Sequence, residues 1–244
     1  DPHDLWHFVF APNPASSAAA RIAITARRAA GFRGPIVQTV ASAPARFEGA
    51  ARWLFGDHVV ALSEHTRGRL FAAGAEADRV SVIPPCAAAP RPVTESEVQA
   101  LRAELGLGGG PVALYPGDYE VSTGAQTVAR AVPALVRAVP GATVVFACRP
   151  KTPRAAAARA EVEAALRAAG ALAATRHVGE VRDMAVLLAA ATCVLFPVDD
   201  LYGKVDVPLV LLEALALGVP LVVARGGPLE ALTSAEAVEP EDAP

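Results

Sequence analysis

The chain has 244 residues, 53% of them hydrophobic and 19% charged, which is enough apolar material for one large or two modest domains. Its formal net charge of −3 argues against nucleic acid as a partner. The charge is uneven, because residues 1–92 carry ten Arg against seven Asp and Glu, and the remainder twelve Lys and Arg against eighteen acids.

The chain opens at Asp1, without Met, and enters the apolar run "LWHFVFA" at once, so further sequence is expected upstream. That run reads as a strand and "SSAAARIAITARRAA" as a helix. The basic stretch from Arg21 to Arg33 is expected either to be a solvated helix face or to touch an anionic membrane surface. "PIVQTVA", "HVVALS" and "RVSVIPP" follow as strands buried on both faces, with "SEHTRGRLFAAG" a helix before the last of them. Pro, Ala and Gly then accumulate from Ile83 to Pro111, which suggests a first domain over 1–92, a linker over 93–110 and a second domain over 111–244. Inside the linker, "ESEVQALRAELG" reads as a short helix with Thr94 as its N-cap. "GLGGG" precedes a strand and does not follow one, so it reads as linker and not as a phosphate loop.

In the second domain "PVALYPG", "ATVVFAC", "ATCVLFP" and "PLVVA" read as strands. "GAQTVARAVPALVRAV", "RAAAARAEVEAALRAAG", "VRDMAVLLAAA" and "PLVLLEALALG" read as the helices between them. Such alternation means parallel sheets with crossover helices. After Thr233 the acidic "SAEAVEPEDAP" is expected to be a tail without an element. Cys86, Cys148 and Cys193 are odd in number and widely spaced, and two lie in apolar runs. A reduced, cytosolic setting is expected, with no disulfide framework and no metal site.

Glu213 stands out. Asp206 and Pro208 signal a helix start, and Gly218 with Pro220 the stop, so Glu213 falls in the second turn of an apolar helix from Pro208 to Leu217. An unpaired carboxylate buried there would cost several kcal/mol or take up a proton. It therefore has a partner, faces a cleft, or lies on an exposed side of an amphipathic helix. Open parallel sheets place clefts at the carboxyl ends of strands, where helices begin, and there a Glu can accept from ribose hydroxyls while free amides receive a phosphate.

The segment "PLVLLEALALGVPLVVARGGPLEAL", with Gly226, Gly227 and Glu230 in place, resembles the signature of group 1 (family 4) retaining glycosyltransferases of the GT-B fold. "HVGEVRDMAVLLAAATCVLFP", "AVPALVRAVPGATVVFACRP", "VVALSEHTRGRLFAAGAEADRVSVIPP" and "DLWHFVF" resemble further parts of that family in the same order. The resemblance implies an α/β protein of two Rossmann-like, doubly wound parallel-sheet domains with a cleft between them, the N-terminal one incomplete. It implies transfer of a sugar from a nucleotide sugar to an acceptor hydroxyl, with retention and without cofactor or metal. The acceptor would be a sugar or lipid-linked, and the setting the cytoplasm or the inner face of the membrane.

By the same resemblance Glu213 would hold the donor ribose, and the backbone around Val181 would meet the base. His7, read as ending its strand, would lie near the reacting sugar or be a hydrogen-bonded strand-end histidine. The departures are equally specific. Val205 stands where the family has the first Glu of its pair, and the nearest carboxylate, Asp206, would contact donor hydroxyls or cap the helix. By the resemblance Gly117 and Asp118 of the loop "GDYEVSTG" would bind the donor, although Asp118 and Thr123 stand there where the family has Arg and Lys. The amides of Leu209 and Val210 and the ammonium of Lys204, swinging over the phosphates, are the expected substitutes, with Arg149 and Arg225 as weaker second cations. Because the N-terminal part is short, residues 1–244 alone are expected to be inactive as a transferase. A nucleotide-sugar epimerase of the same fold and a non-catalytic nucleotide-binding or interaction protein are the competing readings.

Overall fold

The computed structural model describes residues 3–198, 204–232 and 235–238. Of these, residues up to Pro85 together with 204–208 form one compact unit, and the remainder form a second.

In the first unit strands β1 (Trp6–Val9), β2 (Ile36–Val40), β3 (His58–Ala61) and β4 (Val80–Val82) form a parallel sheet in sequence order. Helix α1 (Pro14–Ala29) connects β1 to β2, and α2 (Glu64–Ala72) connects β3 to β4. Both helices start where local chemistry says they should. Asn13 Oδ1 accepts from Ser16 N with Pro14 in the first turn, and Ser63 Oγ accepts from Thr66 N. Val40, Leu54, Val59, Ala61, Leu70 and Val80 make the core between sheet and helices.

The second unit begins with α3 (Glu95–Leu105), closed at its start by a reciprocal capping box between Thr94 and Glu97. There follow β5 (Val112–Tyr115), α4 (Gly124–Ala138), β6 (Thr143–Ala147), α5 (Ala155–Ala168), β7 (Thr175–Val178), α6 (Met184–Ala190), β8 (Cys193–Phe196), α7 (Leu209–Ala216), β9 (Leu221–Ala224) and β10 (Ala235–Val238). All paired strands run parallel in the order β10-β9-β8-β5-β6-β7. This is a doubly wound sheet, and the strand order reverses between β5 and β8. Val144, Val145, Phe146, Val194 and Val223 are fully buried, as their near-continuous apolar runs require. Among the described residues no helix is long and apolar enough to cross a membrane.

Three expectations differ from this architecture. The units divide at Pro85 and not near residue 92, and residues 93–110 are part of the second unit instead of a free linker. There α3 packs on α6, and the Arg102 guanidinium donates to the carbonyls of Gly108, Gly110 and Ala190. The segment after Thr233 is not all tail, since β10 pairs with β9 as a sixth strand. Short acidic "AEAV" has little intrinsic strand signal, and its pairing depends on the edge that β9 offers. Lastly, residues 204–208 return to the first unit. Val205 bridges Ser42 in antiparallel fashion, and Ser63 Oγ donates to Asp206 Oδ2 at 2.7 Å.

Candidate functional site

The reversal of strand order between β5 and β8 singles out the loops at the carboxyl ends of these strands as the place for a ligand in the second unit. The β5–α4 loop is built around the buried Tyr115, whose hydroxyl donates to the Asp118 carbonyl at 3.2 Å. Burial holds that phenol well above its usual range, so it remains a donor. Gly117 and Gly124 lie against the same ring, and a Cβ on either would be 2.2 or 2.7 Å from a Tyr115 atom.

Asp118 turns inward and is fully buried. Its Oδ1 accepts from the amides of Val121 and Ser122, and its Oδ2 from Lys151 Nζ at 3.0 Å. Glu120 reaches the same neighbouring loop, where its Oε1 accepts from the amides of Lys151 and Thr152 at 2.7 and 2.9 Å. Two carboxylates thus tie the β5–α4 loop to the β6–α5 loop. Below them Phe146 and His177 stack at 4.9 Å, and the Tyr119 hydroxyl lies 2.8 Å from His177 Nδ1. Burial lowers the His177 pKa, which keeps the ring neutral. Cys148 beside them has its thiol pushed up to about 12, also by burial, and is no reactive thiolate.

Helix α7 begins directly after Pro208. Leu209 is exposed and Val210 half-buried, while Leu211 and Ala214 face the core. Glu213 is half-buried in the second turn, and its carboxylate has no hydrogen-bond or ion-pair partner among the described residues. Of the three options open to it, a partner among the described residues is therefore removed. Its companion Glu230 is committed, since its Oε2 accepts from Gly226 N at 2.8 Å and closes the turn that the left-handed Gly226 makes. Val181 lies half-exposed beyond β7, two residues before Asp183 caps α6.

The candidate residues divide between the units. Gly117, Asp118, Val181, Leu209, Val210 and Glu213 belong to the second, and His7, Lys204 and Asp206 to the first. His7 does not end its strand, because β1 continues to Val9, and its Nε2 lies 2.7 Å from Thr39 Oγ1 on β2. Asp206 is not the cap of α7, since its carboxylate meets the cap residue of α2 instead. Lys204 is buried, unlike the swinging surface cation expected at that position. The arginines of α1 are also engaged. Arg21 donates to the Arg52 and Leu54 carbonyls, Arg28 pairs with Asp57 at 3.0 Å, and Arg27 lies over the Trp6 ring. The residue that sequence reasoning passed over is Lys151. The available signal was its place just past the carboxyl end of β6, beside a loop whose own cations are missing.

Residues 110–244, more than half of the chain, match the family described as glycosyl transferases group 1. No curated protein matches the sequence. Among solved structures, HepE from Anabaena in complex with UDP and glucose is similar with a TM-score of 0.77 at 19% identity, over 98% of this chain and 65% of that one. A glycosyltransferase from Rickettsia africae gives 0.76 at 16%, over 98% and 63%. Sucrose-phosphate synthase from Thermosynechococcus elongatus gives 0.72 at 20%, over 98% and 61%. The chain spans less than two thirds of the length of each of these proteins.

Proposed function

The chain belongs to the glycosyl transferases group 1 family and has the GT-B type of fold, and from that premise we propose that it binds a nucleotide sugar and transfers the sugar to an acceptor hydroxyl with retention of configuration. The observation that carries this reading is Glu213. A half-buried carboxylate without a partner among the described residues, on the helix that follows β8, is poised to accept hydrogen bonds from a ribose. The first amides of α7, those of Leu209 and Val210, would face the phosphates, and Gly117, Asp118 and Val181 would line the donor from the neighbouring loops. That HepE was crystallised with UDP and with UDP-glucose supports a nucleotide-sugar donor. The chemistry needs positioning and electrostatic stabilisation of the leaving diphosphate, with neither a cofactor nor a metal.

In this proposal His7 would lie near the reacting sugar, Lys204 at the donor phosphates and Asp206 at the donor-sugar hydroxyls, with a sugar or a lipid-linked acceptor and a cytoplasmic setting. For a peripheral membrane contact, the α1 arginines would have to act while already held to their own unit. The test is calorimetric titration of the full-length protein with UDP, GDP and their sugars, followed by product analysis. Glu213→Gln is expected to weaken nucleotide binding by about 1.5–3 kcal/mol, the scale of a charge-assisted bond, with little effect on folding. Unchanged affinity would remove Glu213 from the donor site. A second reading, a non-catalytic nucleotide binder, is favoured by the carboxylate of Asp118 where the family has a cation. Binding without turnover would decide for it.

A further inference from the structure

We infer that Lys151, held against Asp118 at the carboxyl end of β6, supplies the cation that grips the donor's diphosphate; this rests on the nucleotide-sugar reading above. A nucleoside diphosphate brings two or more negative charges. The start of α7 offers only about half a positive charge, and Pro208 just before it has no N–H to give. From Asp118 to Thr123 the β5–α4 loop contains no Arg or Lys. The cation has to come from a neighbouring loop.

Strands β5 and β6 are adjacent and parallel, so the loops that follow them emerge at the same edge of the sheet. Lys151 is fixed there at both ends. Its amide donates to Glu120 Oε1 at 2.7 Å, and its ammonium donates to Asp118 Oδ2 at 3.0 Å. An ammonium has three donors, and Asp118 takes one. The side chain is 35% exposed, and no further partner exists among the described residues, so the other two N–H groups are open to an incoming oxygen. Asp118 does not simply cancel that charge, because its second oxygen is shared by two backbone amides. The fixed geometry removes most of the entropy that a free lysine would lose on binding. Arg149 is exposed with no contact holding its side chain among the described residues, Arg225 donates to the Ala237 carbonyl, and Lys204 is buried.

A bland role competes with this one. A fully buried carboxylate needs a counter-charge, and Lys151 would then serve only to neutralise Asp118. A double variant separates the two. Inorganic pyrophosphate, UDP, GDP, ADP and the matching nucleosides are titrated into the full-length protein and three variants, with melting temperatures measured alongside. Lys151→Met is expected to weaken pyrophosphate and nucleoside diphosphate binding at least tenfold and to leave nucleoside binding unchanged. Lys151→Arg should keep most of the affinity. Asp118→Asn with Lys151→Met removes both charges, so it should recover the melting temperature yet bind diphosphates as weakly as Lys151→Met alone. Diphosphate affinity restored to the wild-type level in the double variant, or equal losses for nucleoside and diphosphate in Lys151→Met, would overturn the assignment. A wild-type protein that binds none of these nucleotides would overturn the donor reading itself, and the role of Lys151 with it.

Discussion

Gly117 and Gly124 bracket the β5–α4 loop, and neither has the positive φ that usually explains a glycine. The reason for each is the ring of Tyr115 beneath them. A Cβ on Gly117 would sit 2.2 Å from Tyr115 Cζ, and one on Gly124 2.7 Å from its hydroxyl oxygen. The ring cannot retreat, since Tyr115 is fully buried and stacks on Phe196 at 6.1 Å. Gly117→Ala is therefore expected to destabilise the protein by about 1–3 kcal/mol, as overpacking does. Combined with Tyr115→Val, it should cost less than the sum of the two single changes, because the smaller side chain leaves room for the methyl. Urea unfolding of the two single variants and the double variant measures this, and strict additivity would show that the ring is not the obstacle. A glycine that the family resemblance offers as a donor contact thus has a packing reason of its own.

At the scale of elements, one guanidinium serves the starts of two helices. Arg91 donates to Glu97 at 2.7 Å and to Asp183 at 2.6 Å. Glu97 completes the capping box of α3, and Asp183 Oδ1 accepts from the amides of Ala185 and Val186 at the start of α6. The hydrogen bond from Arg91 is the main reason that the Glu97 carboxyl falls to about 2, and it also lowers Asp183. Both folded-state values lie below the unfolded ones. The stabilisation is therefore present above the unfolded pKa, near 4.5 for Glu97, and is lost as pH falls from there towards 2. All three groups are exposed, so the contribution is modest and salt-screened. Arg91→Ala is expected to lower stability at neutral pH and to flatten its fall between pH 4.5 and 2 at low salt. Urea midpoints across that window check it, and an unchanged slope would assign the acid sensitivity to other carboxylates.

At the scale of the molecule, the chain leaves the first unit at Pro85 and comes back to it at residues 204–208 before α7 begins. The return is held by the bridge between Val205 and Ser42 and by the bond from Ser63 to Asp206. Ser63 caps α2 through Thr66 N, so Asp206 orients the hydroxyl that starts that helix. Asp206→Ala should cost about 1–3 kcal/mol in the first unit, the scale for a buried polar group that loses its partner. Faster hydrogen exchange at Thr66 N, with β5 amides unchanged, is the expected signature. Equal acceleration in both units would mean that this segment supports the whole molecule and not the first unit alone.

What the sequence determined by itself is what a few neighbouring residues can encode. Strand and helix alternation, the Thr94 cap and the unusual placement of Glu213 in an apolar helix were all legible, because capping and periodicity act over one or two turns. The strands it missed, β7 and β10, lie at the two edges of their sheet, where burial on only part of the strand leaves no apolar run to read. The partners of the candidate residues were not legible either. Asp118 meets Lys151 across 33 residues, and Asp206 meets Ser63 across 143. Those pairings depend on which strands lie side by side and on where a loop re-enters the fold. Only the tertiary structure decides that, because the free energy that sets it comes from burying whole sheets and helices together.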